Sequence, residues 1–364
     1  MTTLRERYDP KANGLGLLRL TLALSVLVAH AWPLGLGRPN PGQGLTRGQT
    51  DLGTLAVDGF FVLSGFLVAA SARKGGALRF AWHRFLRIFP GLWVCLAATA
   101  LAAAVTGHAG GLGFVRDNAS GAVHQWGIGT LFLDTPYGRL VQGSVANGSL
   151  WSLVYELLCY SGLTVLIAAG LPRRAPWAVP ALAAVAYTVI VVDACRNPTT
   201  PQYRGGLGPF PLWGYVDLQL ACYLGFLFLL GACAQLYAHR IPLTWPIAVA
   251  AGLVLAASLA CGGFFVAGYP AFAYLILYAA CAVPPRLHTV GREHDYSYGI
   301  YIYAFPVQQA VAHLGGAAWG LVPYVALCVP AVLLVAAGSW HLVERPTLAL
   351  KHRAFPARHL TLAR

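Results

Sequence analysis

Charge is the scarcest property of this 364-residue chain: Asp, Glu, Lys and Arg make up 10% of it, against about 25% in an ordinary soluble domain. So few charges cannot cover a water-facing surface, which excludes the two soluble domains that a chain of this size would otherwise suggest. Acidic residues are the rarer sign, 12 against 25 Lys and Arg. Eight cysteines are present, but no CxxC pair and no His/Cys ligand spacing, which argues against a disulfide framework or a zinc site. No internal repeat or low-complexity tract occurs, and no segment reads as an appended soluble domain.

Hydrophobic residues make up 57% of the chain and fall in long runs. A spanning helix needs about 20 mostly apolar residues, and ten candidates satisfy this roughly over 14–36, 52–72, 88–106, 150–170, 176–193, 215–236, 243–261, 263–283, 296–314 and 320–342. The fold class is therefore an all-α polytopic membrane protein of about ten transmembrane helices, with residues 1–364 forming one domain. Spans seven and eight are separated only by Cys261-Gly262-Gly263, and their merger would put the chain ends on opposite sides.

The formal net charge of +13 suggests nucleic acid only in a soluble protein. Here the basic residues sit in short segments between apolar runs, so no nucleic-acid partner is expected and the lipid bilayer is the surrounding medium. With the N-terminus inside, 18 Lys and Arg fall on cytoplasmic segments and six on outer ones, with Arg19 inside a span. That bias predicts both termini in the cytoplasm and an even number of spans. The first run has the outline of a signal peptide, and Ala29-His30-Ala31 formally fits a cleavage site. The bulky His30, Trp32 and Pro33 argue for a retained signal-anchor helix instead. The longest outer loop, about 107–149, is placed to bind an acceptor or cover a cavity. The tail after Pro346, about 345–364, reads as a short cytoplasmic segment facing lipid headgroups.

Ionisable groups inside spans are costly and normally face a cavity or a partner. Arg19 and His30 are eleven residues apart, which puts them on one face of the first span and about 16 Å apart along its axis. Arg19 alone is also compatible with snorkelling to headgroups, and His30 with a bond to a neighbouring helix. In the second span Asp58 lies about 9 Å below the outer edge, while Gly59 and Gly65 read as small residues for close helix packing. Arg84 and Arg87, three apart just before span three, share a helical face. Such a pair of planar forks suits phosphate, although a plain positive-inside anchor also fits. Glu156 in span four lies about 9 Å from the outer edge, where it either joins acid/base chemistry or neutralises an arginine. Two layers follow: a cationic inner one of Arg19, Arg84 and Arg87, and an outer one of Asp58, His30 and Glu156, in which a histidine beside carboxylates can serve as general base.

These residues occur within longer stretches: Arg19-x10-His30, Asp58-Gly-Phe-Phe-Val-Leu-Ser-Gly65, Arg84-x-x-Arg87 leading to Pro90, Trp151-Ser-Leu-x-x-Glu156, Tyr296-Ser-Tyr-Gly-Ile-Tyr-Ile-Tyr303 and Glu344-Arg-Pro346. Singly each is weak, but six in this order make the chain resemble the bacterial membrane-bound acyltransferase-3 family along nearly its whole length. The resemblance implies a ten-helix enzyme of the bacterial cytoplasmic (inner) membrane. Its expected donor is acyl-CoA, with acetyl-CoA the default, and its acceptor is a carbohydrate hydroxyl on a cell-surface polysaccharide, lipid-linked glycan or glycosylated molecule. It implies His30 as the essential histidine and Arg19, Arg84 and Arg87 as ligands of the CoA phosphates; with His30 as base, Glu156 or Asp58 is the expected partner that holds the imidazole in the right tautomer. No metal is expected. Many relatives carry a histidine before the proline after the Ser-Tyr motif, where this chain has Ala304-Phe305-Pro306, so that role does not transfer. Some relatives also have an extracytoplasmic hydrolase-like domain after the last helix, absent here, and His341 reads as an interface residue. The competing class is a transporter using the buried ionisable groups as a solute or proton path. Against it stand the lack of a duplicated hydropathy pattern and of paired Gly/Pro-broken spans. Oligomeric state is not readable from the sequence.

Overall fold

The computed structural model describes residues 2–72, 76–105, 147–197, 207–210 and 214–354. Ten helices carry the expected spans: α1 (Leu15–Leu36), α2 (Leu52–Ala72), α3 (Ala77–Val105), α4 (Trp151–Ala168), α5 (Ala178–Arg196), α6 (Leu218–Leu236), α7 (Trp245–Cys261), α8 (Tyr269–Ala282), α9 (Ser297–His313) and α10 (Leu321–Ser339). Hydrocarbon offers the backbone no hydrogen bonds, so apolar runs of this length satisfy their own amides as helices. Among the described residues, seven helical segments are long and apolar enough to cross a membrane. The helices α3, α7 and α9 are not among the seven, α7 and α9 having 17 residues each. Two short strands, β1 (Leu207–Phe210) and β2 (Gly214–Val216), pair antiparallel with Leu207 opposite Val216 before α6.

The separation of spans seven and eight is a real break. Helix α7 stops at Cys261, and Gly262 and Gly263 take φ of +107° and +89°, a region that only glycine enters without strain. One wide turn, Phe264–Gly268, then leads into α8. The α1–α2 connection straps this junction. Gln49, 2% exposed, donates to the carbonyls of Ser258 and Leu259 and accepts from the Phe264 amide, and Arg47 donates to the Cys261 carbonyl at 3.0 Å. These groups satisfy helix-end carbonyls that have no partner within α7. The N-terminal segment is tied down in the same way, with Leu4 and Arg5 donating to the carbonyls of Ile241 and Ala238 between α6 and α7.

Helix α2 is the hub, packing on α1, α6 and α8. Its tightest contact is with α6, where Gly65 lies against the Phe228 carbonyl and Gly231 against the Val62 carbonyl, so closely that a Cβ on either glycine would overlap backbone atoms. Helices α1, α9 and α10 form the other side, with Ala23, Leu27, Ile300, Ala304, Val332 and Ala336 buried between them. Apolar side chains point outward elsewhere. Leu182, Val185, Val189 and Val192 of α5 and Leu253 of α7 are each more than two-fifths exposed, an arrangement that water would penalise and a bilayer accepts. The expected outer loop lies outside the described residues over 106–146, as does the tail over 355–364. The loop's last residues are interior: Asn147 and Ser149 are buried, and Asn147 Nδ2 donates to the Ile302 carbonyl at 2.7 Å.

Candidate active site

A cavity of about 110 Å³ opens between α1, α2, α3, α4 and α9. It gathers Arg19, Arg84, Arg87 and Glu156, four of the six residues singled out from the sequence, with Ser64, Ser152, Tyr160, Ser297, Tyr298 and Tyr301 completing its polar wall. Arg84 and Arg87 lie within α3 rather than before it, because that helix begins at Ala77. Their three-residue spacing then turns both toward the cavity.

The three arginines are not equivalent. Asp295, in the connection before α9, places Oδ2 2.6 Å from Arg87 Nη2 and 3.3 Å from Arg19 Nη2. Glu344, 2% exposed, lies 3.9 Å from Arg87 and accepts from Ser339 Oγ at 3.0 Å. Burial alone would raise the Asp295 carboxyl, but Arg87, then Arg19, and hydrogen bonds from Ser297 hold it down at about 2. Among the described residues no carboxylate lies within ion-pair distance of Arg84, and its buried Nε has no hydrogen-bond partner. Its guanidinium sits 5.6 Å from the Tyr160 ring and 5.8 Å from the Phe80 ring, which hold its plane in place. Arg84 is thus the cation with capacity for an anion. Lys351, on the short helix after α10, adds to the same field. Burial, with Arg84 and Arg87 beside it, lowers its ammonium from the usual range to about 8. The sequence reading had counted Lys351 only as an inside charge. Nothing short of the tertiary contact of this helix with α3 marks it, and the same holds for Asp295 and Glu344 as counter-charges.

Glu156 faces the cavity and is already engaged. Its Oε1 accepts from Ser64 Oγ at 2.9 Å and from Tyr160 at 2.5 Å. Above it, Tyr301 is hydrogen-bonded to Ser152 Oγ at 2.6 Å and donates to the Ser149 carbonyl, and its ring meets Phe60 edge-on at 5.9 Å.

His30 and Asp58 are not among the residues lining this cavity. The His30 ring meets Phe305, one turn beyond Tyr301 on α9, edge-on at 5.3 Å. Its buried Nδ1 has no hydrogen-bond partner among the described residues. Neither Glu156 nor Asp58 reaches it with a hydrogen bond among those residues. Asp51 accepts from the amides of Gly53 and Thr54 at the start of α2. Asp58, 1% exposed, faces Tyr269 of α8 on another side of α2. Shared depth had suggested one layer of Asp58, His30 and Glu156. Asp58 and Ser64 are six residues apart, however, or about 240° around the helix, so the face that brings Ser64 to Glu156 turns Asp58 away.

A polytopic helical membrane protein with a buried cationic cavity is the class that this fold and site define. A sequence profile described as an acyltransferase domain matches residues 13–341, and the chain belongs to that family, acyltransferase-3. It is 31% identical over 392 aligned positions to a protein named nodulation protein 10 from Rhizobium leguminosarum bv. viciae, covering 98% of this chain and 99% of that one. It is 29% identical over 355 positions to a protein named O-acetyl transferase from Shigella phage Sf6, covering 92% and 96%. No solved structure matches it. The protein is a multi-pass membrane acyltransferase.

Proposed function

We propose that this enzyme transfers an acyl group, acetyl by default, from cytoplasmic acyl-CoA to a hydroxyl of a carbohydrate acceptor such as a surface polysaccharide or lipid-linked glycan. The observation that carries the donor assignment is the convergence of Arg19, Arg84 and Arg87 on one cavity, with Arg84 lacking a carboxylate partner among the described residues and Lys351 on a short helix that packs against α3. Guanidinium groups so placed suit the diphosphate of CoA. The relative named O-acetyl transferase supports transfer to oxygen and the choice of acetyl. The bias of Lys and Arg toward this face supports its being cytoplasmic, in the bacterial inner membrane.

In the proposed reaction the acceptor oxygen attacks the thioester carbonyl while His30 takes the hydroxyl proton. The C–S bond then breaks, and CoA leaves as the thiol once its sulfur is protonated. Glu156 holds Ser64 and Tyr160 in position against the donor. The test is release of free thiol from acetyl-CoA by the purified protein. His30→Ala should lose turnover, by about a hundredfold or more, while still binding CoA. Unchanged turnover in this variant overturns the role of His30, and failure of the wild type to bind or turn over any acyl-CoA overturns the donor.

A further inference from the structure

A second cavity, of about 170 Å³, adjoins the first and shares Arg19 and Leu67 with it. Its remaining wall includes Tyr8, Lys11, His288 and Arg292. Among the described residues neither Lys11 nor Arg292 has a carboxylate within ion-pair distance, and both are exposed at the mouth. The nearest acid on the N-terminal segment is Asp9, which accepts from the Lys11 amide at 2.7 Å and does not line the cavity. His288 is oriented by a 2.8 Å contact between Nε2 and the Val283 carbonyl. The wall is preformed. The loop that carries Arg292 docks on the start of α1 through Gly16 and Gly291, so closely that a Cβ on either glycine would overlap the other segment's backbone, with Gly291 at φ +68°.

A neighbouring recess shares Gly16 and Gly291 but is lined by Glu293 and Asp295, so its charge repels a phosphate. The Lys11–Arg292 cavity attracts one. A ligand that enters both this cavity and the inner one through the shared Arg19 must carry two anionic groups a short distance apart. Coenzyme A has that form: its 5′-diphosphate and its 3′-phosphate sit on a single ribose. Resting on the proposed acyl-CoA donor, the geometry points to a dedicated 3′-phosphate site formed by Lys11, Arg292 and Arg19, which selects free acyl-CoA over donors that carry the same pantetheine arm without this group, such as dephospho-CoA thioesters or acylated carrier proteins.

The experiment is equilibrium binding of CoA and of 3′-dephospho-CoA to the full-length, detergent-purified protein. Wild type, Lys11→Ala/Arg292→Ala and the charge-retaining Lys11→Arg/Arg292→Lys are compared. Wild type should bind CoA about tenfold or more tightly than dephospho-CoA, as one charge-assisted contact warrants. The alanine variant should bind both alike, with its dephospho-CoA affinity close to wild type, and the charge-retaining variant should keep the preference. Equal binding of the two probes by wild type, or full preference in the alanine variant, overturns the 3′-phosphate site and leaves the donor reading standing. Absence of binding of either probe to wild type overturns both.

Discussion

The carboxylate of Asp295 lies 2.6 Å from the guanidinium of Arg87, and the same oxygen holds Arg19 at 3.3 Å. One acidic residue from the α8–α9 connection thus ties α1 and α3 together beside the cavity. Removing it leaves two cations facing each other. Asp295→Asn should therefore cost roughly 2 kcal/mol, less than a fully buried pair because both guanidinium groups keep some solvent. Its folded carboxyl is held at about 2, below the ordinary 3.8, so its stabilisation is complete above the ordinary value and is lost as pH falls toward about 2. Thermal unfolding in detergent against pH should show an acid decline that is weaker in Asp295→Asn. An identical decline in both proteins would remove Asp295 from this role.

Arg84 and Arg87 should separate in their effects although they are three residues apart. Arg84→Ala removes a cation with no carboxylate partner among the described residues, so it should raise the donor KM about tenfold or more with little change in melting temperature. Arg87→Ala leaves Glu344 without an ion-pair partner and Asp295 with Arg19 alone, and should cost on the order of 2–4 kcal/mol as well. A large stability loss in the first variant with none in the second contradicts the ion-pair assignment.

Lys351 provides a pH signature. Its ammonium is lowered to about 8 by burial and by Arg84 and Arg87, and an anionic donor beside it restores the charged form. Donor affinity should be level below that value and should weaken as pH rises through it, because binding then requires proton uptake. In Lys351→Met, affinity at neutral pH should be lower and this pH dependence should vanish. Calorimetric titration with CoA in two buffers of different ionisation enthalpy measures the proton uptake directly.

The α2–α6 contact predicts an asymmetry among glycines. Gly65→Ala and Gly231→Ala place a methyl against backbone carbonyls that cannot turn aside, and both should sharply reduce the yield of folded protein. Gly225→Ala, also on α6, meets nothing within 4 Å and should be neutral or slightly stabilising through helix propensity. Comparable yields for all three would show that the helices can separate at no cost.

Much of the architecture was legible because membrane solvation is one-dimensional. Each expected span corresponds to a helix, and the Gly262-Gly263 break is real because two positive φ angles end α7 there. The inner arginine cluster was legible too. Arg84 and Arg87 are related by helical spacing, and Arg19 stands out because it is charged within an apolar run. The outer acid/base layer was read from depth, and depth follows from the rise along a helix. It put Asp58 level with Glu156, although Asp58 meets Tyr269 while Glu156 meets Ser64 and Tyr160.

By itself the sequence determined that the chain crosses a bilayer many times, where most of its helices lie, and which few charges must be sheltered. Those properties depend on the chemistry of each segment alone. Only the tertiary structure decided which charges meet: that Asp295 and Glu344 claim Arg87, that Arg84 is left with capacity, and that the short helix carrying Lys351 packs against α3. These pairings depend on how each helix is rotated about its axis, and that rotation is set by contacts such as Gly65 against Phe228 and Gly16 against Gly291, between residues far apart in the chain.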